Sequence, residues 1–165
     1  MTMNGWFPQQ RLLLPLALIF ILLLAVSGCT VKLIADYDAI IDGYVTDFQT
    51  KIETFLVKME RTAGTPEGEY RNNIGFYDDV KGSLNSILNR ANSIPKNELV
   101  ASQIRLLQEN VENLRQIHEN QGERGLTQAL IDPIRSAFEA QLTAIIKLQT
   151  ALKRGVSLNP KEVSP

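Results

Sequence analysis

Residues 31–61 read VKLIADYDAIIDGYVTDFQTKIETFLVKMER. Within them Ile34, Tyr37, Ile41, Val45, Phe48, Ile52, Phe55 and Met59 recur at steps of 3, 4, 4, 3, 4, 3 and 4 residues. That spacing keeps one apolar stripe on one face of an α-helix, the pattern of a helix packed along its length against others. Asp36, Asp38, Asp42 and Asp47 crowd the first half, where the positive end of the helix dipole favours carboxylates. Gly64-Thr65-Pro66 then breaks the chain.

Three more stretches follow the same rule. Thr65, Pro66, Glu67 and Glu69 read as a cap, first position and acidic first turn of a second helix. Its stripe is Tyr70, Ile74, Tyr77, Val80 or Lys81, Leu84, Leu88 and Ala91, and Pro95 stops it near Ser93. Asn97 is the candidate cap of a third helix, with Val100, Ile104, Leu107, Val111, Leu114 and His118 on its stripe and Gly122 at its end. The fourth carries Ile131, Ile134, Phe138, Leu142, Ile145, Leu148 and Leu152 and closes on Lys153, Arg154 and Gly155. Pro133 either kinks that helix or opens it after an Asp132 cap, with 126–131 as a separate turn. No stretch alternates with period two. Long helices joined by short turns predict an all-α, antiparallel up-down-up-down four-helix bundle, each helix roughly 35–45 Å long. A three-helix bundle on a stalk-like first helix is the alternative.

The N-terminus carries an address. Residues 1–11 lack acidic groups and end in Arg11, and residues 12–26 form an uninterrupted apolar run. This is the order of a secretory signal. Fifteen residues rise only about 22 Å as a helix, short of the roughly 30 Å hydrocarbon core. Val26-Ser27-Gly28-Cys29, directly after the run, resembles the lipobox of bacterial lipoproteins. That resemblance implies cleavage between Gly28 and Cys29, diacylglycerol on the Cys29 thiol and acylation of the new amine. Two or three chains, at about 0.8 kcal/mol per buried methylene, hold a protein to a bilayer far more firmly than one. Thr30 rather than Asp follows the cysteine, which by the same resemblance favours the periplasmic face of the outer membrane. The expected division is a cleaved signal at 1–28, a lipid-anchored bundle at 29–155 and a loose tail at 156–165, where two prolines stand among few apolar residues. No family is recognised for residues 30–165.

Composition narrows the function. The chain has 165 residues, 17 basic and 18 acidic; the signal holds only Arg11, so the remaining 137 carry 16 against 18, a net of −2. A nucleic-acid binder normally shows a basic excess or stripe. One cysteine, one histidine, no Gly-x-Ser-x-Gly elbow and no phosphate loop offer no recognised catalytic or cofactor motif. His118 on the apolar stripe, with Met59 at a similar depth, is weighed as a heme or metal ligand against a histidine capping the core with one nitrogen in water. Asp36, Asp38 and Asp42 are weighed as calcium ligands against plain dipole complements. Four tyrosines, Tyr37, Tyr44, Tyr70 and Tyr77, are expected to pack their rings with hydroxyls at the surface. Gln149 lies on the fourth stripe as a candidate register-setting residue.

Gly68, Gly75 and Gly82 recur every seven residues, and helical geometry puts all three on the outer side of the second helix, a shallow track for a close partner weighed against a weakly held helix with Gly68 in its first turn. If the first helix starts at the membrane, the turns 62–69 and 120–126 share the opposite end, with Glu67, Glu69, Glu119, Glu123 and Arg124. Gly75, Gly82, Glu67, Glu69, Glu123 and Arg124 are therefore the candidate partner-binding residues, and Cys29 the lipidation site. The expected function is a non-enzymatic, cofactor-free structural or accessory component of the cell envelope. It would touch the membrane through its lipid and dock an envelope protein. The alternative is a carrier of a small apolar ligand or heme between the helices.

Overall fold

The computed structural model describes residues 34–155. The signal 1–28, the lipobox cysteine Cys29 and the tail 156–165 lie outside the described residues. The described chain is all-helical. Four α-helices, α1 (Ala39–Thr62), α2 (Ile74–Ser93), α3 (Glu98–Gln121) and α4 (Gln128–Lys153), pack against one another, α1 on α2 and α4, and α3 on α2 and α4. Among the described residues no helix is long and apolar enough to cross a membrane.

The stripes meet in a single core. Ile41, Val45, Phe48, Ile52, Phe55, Leu56 and Met59 are buried from α1, and Tyr77, Val80, Leu84, Ile87 and Ala91 from α2. The α3 stripe is buried from Val100 through His118, and α4 contributes Ile131, Phe138, Leu142, Ile145 and Leu148. Aromatic packing ties α1 to its neighbours: Phe55 stacks on Phe76 with ring centroids 3.7 Å apart, and Phe48 meets Phe138 at 6.3 Å. Two positions depart from expectation. Ile74, the first residue of α2, stays 43% exposed, while Leu126, assigned to a turn, is fully buried.

The helix starts also depart from those read above. α1 begins eight residues after Val31, at Ala39, because the Asp38 carboxylate accepts the Ile40 and Ile41 N–H groups at 2.9 and 3.0 Å and so fixes the N-cap there. Upstream, the Ala35 N–H donates to the Lys96 carbonyl at 2.9 Å, an interaction that draws the chain across to the α2–α3 turn. Arg90 donates to the same Asp38 through Nε and Nη2, the shorter bond 2.7 Å, and holds its carboxyl below the usual range, with the two backbone bonds assisting. Asp38 is thus a cap and an ion-pair partner, and Asp42 accepts the Tyr37 hydroxyl at 2.7 Å. Replacing Asp38 by alanine is expected to cost about 2 kcal/mol, the sum of a lost cap and a lost charged pair, in urea denaturation. A loss below about 0.5 kcal/mol would mean that water caps α1 as well.

At α2, Pro66 opens only a short 3-10 turn (Pro66–Gly68), a second follows (Tyr70–Asn72), and the helix proper waits until Ile74. Thr65 makes no cap bond; its hydroxyl donates to the Thr62 carbonyl instead. Asn97 does stand before α3, but its amide donates to the Ala91 carbonyl and braces the α2–α3 turn rather than capping. α4 passes through Pro133 as one helix from Gln128, so residues 128–131 belong to it and Asp132 caps nothing. Being the sixth residue, Pro133 forfeits one bond to the Ala129 carbonyl near the helix start. Gly122 and Gly155 end their helices at positive φ, 57° and 67°.

Contacts gather at two ends. Where the described chain begins, Ala35 touches Lys96, Asp38 touches Arg90, and the Lys153 ammonium sits 5.2 Å from the Tyr37 ring centre. At the other, far end the α1–α2 and α3–α4 connections meet, the Gly64 N–H donating to the Arg124 carbonyl at 3.0 Å.

Candidate functional site

The far end is built around one histidine. His118 is fully buried. Its Nε2 lies 2.8 Å from the Gly68 carbonyl, which can only accept, so Nε2 carries the proton. Nδ1, 2.8 Å from the Tyr77 hydroxyl, is then the acceptor of that hydroxyl's proton. Burial pulls the imidazole below its ordinary pKa, the Lys58 ammonium adds to that, and the Gly68 carbonyl opposes it. The ring is neutral at pH 7. Phe55, Tyr70 and Tyr77 surround it at centroid distances of 5.6 Å or more from one another or from the imidazole, except for the 5.5 Å pair Tyr70–Tyr77.

This corrects the sequence reading of His118, which left one nitrogen in water. Both nitrogens are engaged inside the protein, and a metal or heme iron at either would have to displace one of these bonds. Among the described residues no three His, Cys, Asp or Glu side chains converge as a metal site. The Tyr77 hydroxyl is likewise buried rather than at the surface, and burial raises its pKa. Tyr44 differs in the same way: its hydroxyl is buried without a well-aligned hydrogen bond, Ser83 nearby, and its pKa is pushed up to about 12.

Gly68 is the second correction. It does not share an outer face with Gly75 and Gly82. The α2 helix has not yet begun at residue 68, and the glycine lies buried under the end of α1. A Cβ there would stand 2.1 Å from the Thr62 carbonyl oxygen. Gly125, at φ +62°, closes over it from the α3–α4 side, where a Cβ would meet the Gly68 oxygen at 2.6 Å. Gly75 and Gly82 do face open space, with nothing within 4 Å of a built Cβ.

Two asparagines that the sequence reading passed over stitch this loop. Asn73, nearly fully buried, donates through its amide to the Glu67 and Glu69 carbonyls at 2.8 and 2.7 Å and accepts from the Lys58 ammonium at 2.6 Å. Asn72 donates to the Pro66 carbonyl at 2.6 Å. An Asn-Asn pair beside a Gly-x-Pro turn was the available signal, since such side chains commonly bond nearby backbone.

The charged candidates divide. Glu67, Glu123 and Arg124 are exposed at the far end, as expected. Glu69 is not: it is 7% exposed and its carboxylate pairs with Arg71, so it belongs to the loop's internal bonding. Glu119 is exposed but tied to Arg115, 2.8 Å away. Arg115 also forks onto Glu112, whose pKa it holds down to about 2, and reaches the Tyr70 hydroxyl. These residues border a groove of about 520 Å³ between α2 and α3, floored by Tyr77, Leu84 and Val111 with Lys81 and Arg115 at its edge. On α4, Gln149 is buried with its Oε1 lacking a hydrogen-bond partner.

The arrangement encloses a hydrogen-bonded imidazole and carries charged groups at its surface. It offers a shaped surface, with the Tyr77 hydroxyl and the His118 imidazole closed inside it. No protein-family model, curated protein or solved structure matches the chain.

Proposed function

We propose that this chain is a lipid-anchored lipoprotein of the bacterial cell envelope, held at the periplasmic face of the outer membrane. It acts as a structural or accessory protein-binding component, without enzymatic activity or cofactor. The observation that carries the reading is Val26-Ser27-Gly28-Cys29 immediately after a fifteen-residue apolar run. The described body is a helical bundle that we read as running up, down, up and down. Partner numbers that rise on one helix while falling on the next support this: Lys51 with Asp79 and Lys58 with Asn73, Gln108 with Asn85 and His118 with Tyr77, Arg135 with Glu53 and Gln128 with Glu60.

The partner's contact would be the far end, through Glu67, Glu123 and Arg124, continued along the open face at Gly75 and Gly82. A loop stitched by Asn72, Asn73 and His118 presents Glu67, and the Gly64–Arg124 backbone bond ties the turn bearing Glu123 and Arg124 to it, which leaves little ordering to do on binding. In living host cells, crosslinking followed by mass spectrometry is expected to return one dominant envelope protein. Cys29→Ala should abolish acylation and lose that partner, and Gly75→Arg should weaken the crosslink while leaving acylation intact. An acylated chain with no partner above background would sink the docking role. An extractable ligand or heme absorbance in the purified protein would then favour carriage of a small apolar molecule.

A further inference from the structure

The lipid tether has a consequence for the end where the described chain begins. Ile40 and Leu99 are each the second residue of a helix, α1 and α3, and are 58% and 41% exposed. The Ala35–Lys96 backbone bond brings the two helix starts to the same end. Exposed Pro95 lies between them in the chain, in the turn before α3. Elsewhere Val57, Ile74 and Leu106 are about as exposed, so exposure does not single out Ile40 and Leu99. The tether does.

Four residues, 30–33, separate Cys29 from Ile34. Fully extended, that stretch spans at most about 18 Å from Cys29 to Ile34. An acylated Cys29 stands at headgroup level, so this end is confined close to the bilayer, while the far end of the 24-residue α1 stands about 36 Å further along. We propose that the end bearing Ile40 and Leu99 makes a second, non-covalent contact with the bilayer, seating both side chains in the headgroup region and standing the bundle upright. This inference rests on the lipoprotein reading.

The contact is apolar in character. Exposed Lys96, Lys153 and Arg154 at this end stand against exposed Asp36 and Glu98, a basic excess of only one, far short of the basic cluster that anionic lipid recruits. Partial insertion of such side chains, with the chain already held at the surface, needs only a small gain per residue to be populated.

The chain's one tryptophan, Trp6, lies in the segment removed with the signal, so an introduced tryptophan is a sole reporter in the mature protein. Acylated mature protein carrying Ile40→Trp, Leu99→Trp, Val57→Trp or Ile74→Trp would be placed in vesicles of phosphatidylcholine brominated on its acyl chains. All four sites are exposed, and circular dichroism verifies each fold. The expected result is blue-shifted emission and loss of intensity at positions 40 and 99, with 57 and 74 unchanged. Quenching at all four would mean a body lying flat, and overturns the proposal. A blue shift at 40 and 99 without quenching would mean that copies of the chain cover this end, and overturns it too. No effect in a chain whose intact mass shows the acyl groups overturns the upright contact and leaves the lipoprotein reading standing. A mass without acyl groups removes that reading and the contact with it.

Discussion

Gly68→Ala is expected to destabilise the protein by about 3 kcal/mol or more, against a gain of up to about 1 kcal/mol for Gly82→Ala. The two glycines are fourteen residues apart on the same seven-residue repeat, yet their surroundings are opposite. A methyl group on Gly68 would overlap the Thr62 carbonyl, a backbone atom at the end of α1 that cannot swing aside. To make room, the loop must lift from α1, and the Gly68 carbonyl then leaves His118. At Gly82 the same methyl points into open space within α2, and the helix gains the propensity difference between glycine and alanine. Urea denaturation of both variants measures the pair. A loss at Gly68 below about 1 kcal/mol would show that the loop yields where the packing says it cannot.

His118→Leu should cost about 3 kcal/mol, because it keeps an apolar side chain of similar bulk and strands two buried partners, the Gly68 carbonyl and the Tyr77 hydroxyl. Tyr77→Phe alone should cost about 1 kcal/mol, and much less once His118 is already leucine, since the hydroxyl then has nothing to donate to. A pH signature accompanies this. The folded state holds the imidazole below its ordinary pKa, so the unfolded chain takes up the proton first as pH falls. Stability is therefore full above the unfolded value near 6.5 and declines from there down to the lowered folded value, at no more than about 1.4 kcal/mol per pH unit. The groups around the ring, Lys58, Tyr70, Tyr77 and the Gly68 carbonyl, include no carboxylate to reverse that sign. Asp38, Glu60, Glu67 and Glu112, all with lowered pKa, add losses of the same sense only at the more acid pH of carboxylates. Wild type should lose stability between pH 6.5 and 5 and His118→Leu should not. Equal slopes in the two proteins would remove His118 as the cause.

The exposed surface follows a simpler rule. Glu67, Glu123 and Arg124 emerge at the far end because they sit in turns between periodic stretches, and a turn in a bundle has solvent beside it. Glu69 has the same kind of neighbours in sequence but is drawn under by Asn73, which holds its carbonyl, and by Arg71, which covers its carboxylate. Only the folded loop distinguishes the two glutamates.

Every member of the α3 stripe, Val100 to His118, is buried, and Val80 rather than Lys81 faces inward on α2. The number of helices, their faces and their terminal glycines could be read because each depends on residues three or four apart, or on the local freedom of one glycine. The helix starts were read less well. Pro66 is a good first residue for a helix, yet the loop that follows it bends to bring Gly68 under Thr62, and α2 waits until Ile74.

By itself, then, the sequence determined the all-helical class, the apolar stripes and the signal-like N-terminus, all properties of local spacing and composition. The tertiary structure alone decided that His118 bonds Gly68 and Tyr77, that Gly68 and Gly125 must be glycines for reasons of contact, and that Asn73 holds the loop. Those interactions join residues 41 to 57 positions apart, or join a loop to its own backbone, and they exist only once the helices have packed and closed water out. No period in the sequence encodes a distance of closest approach between two turns.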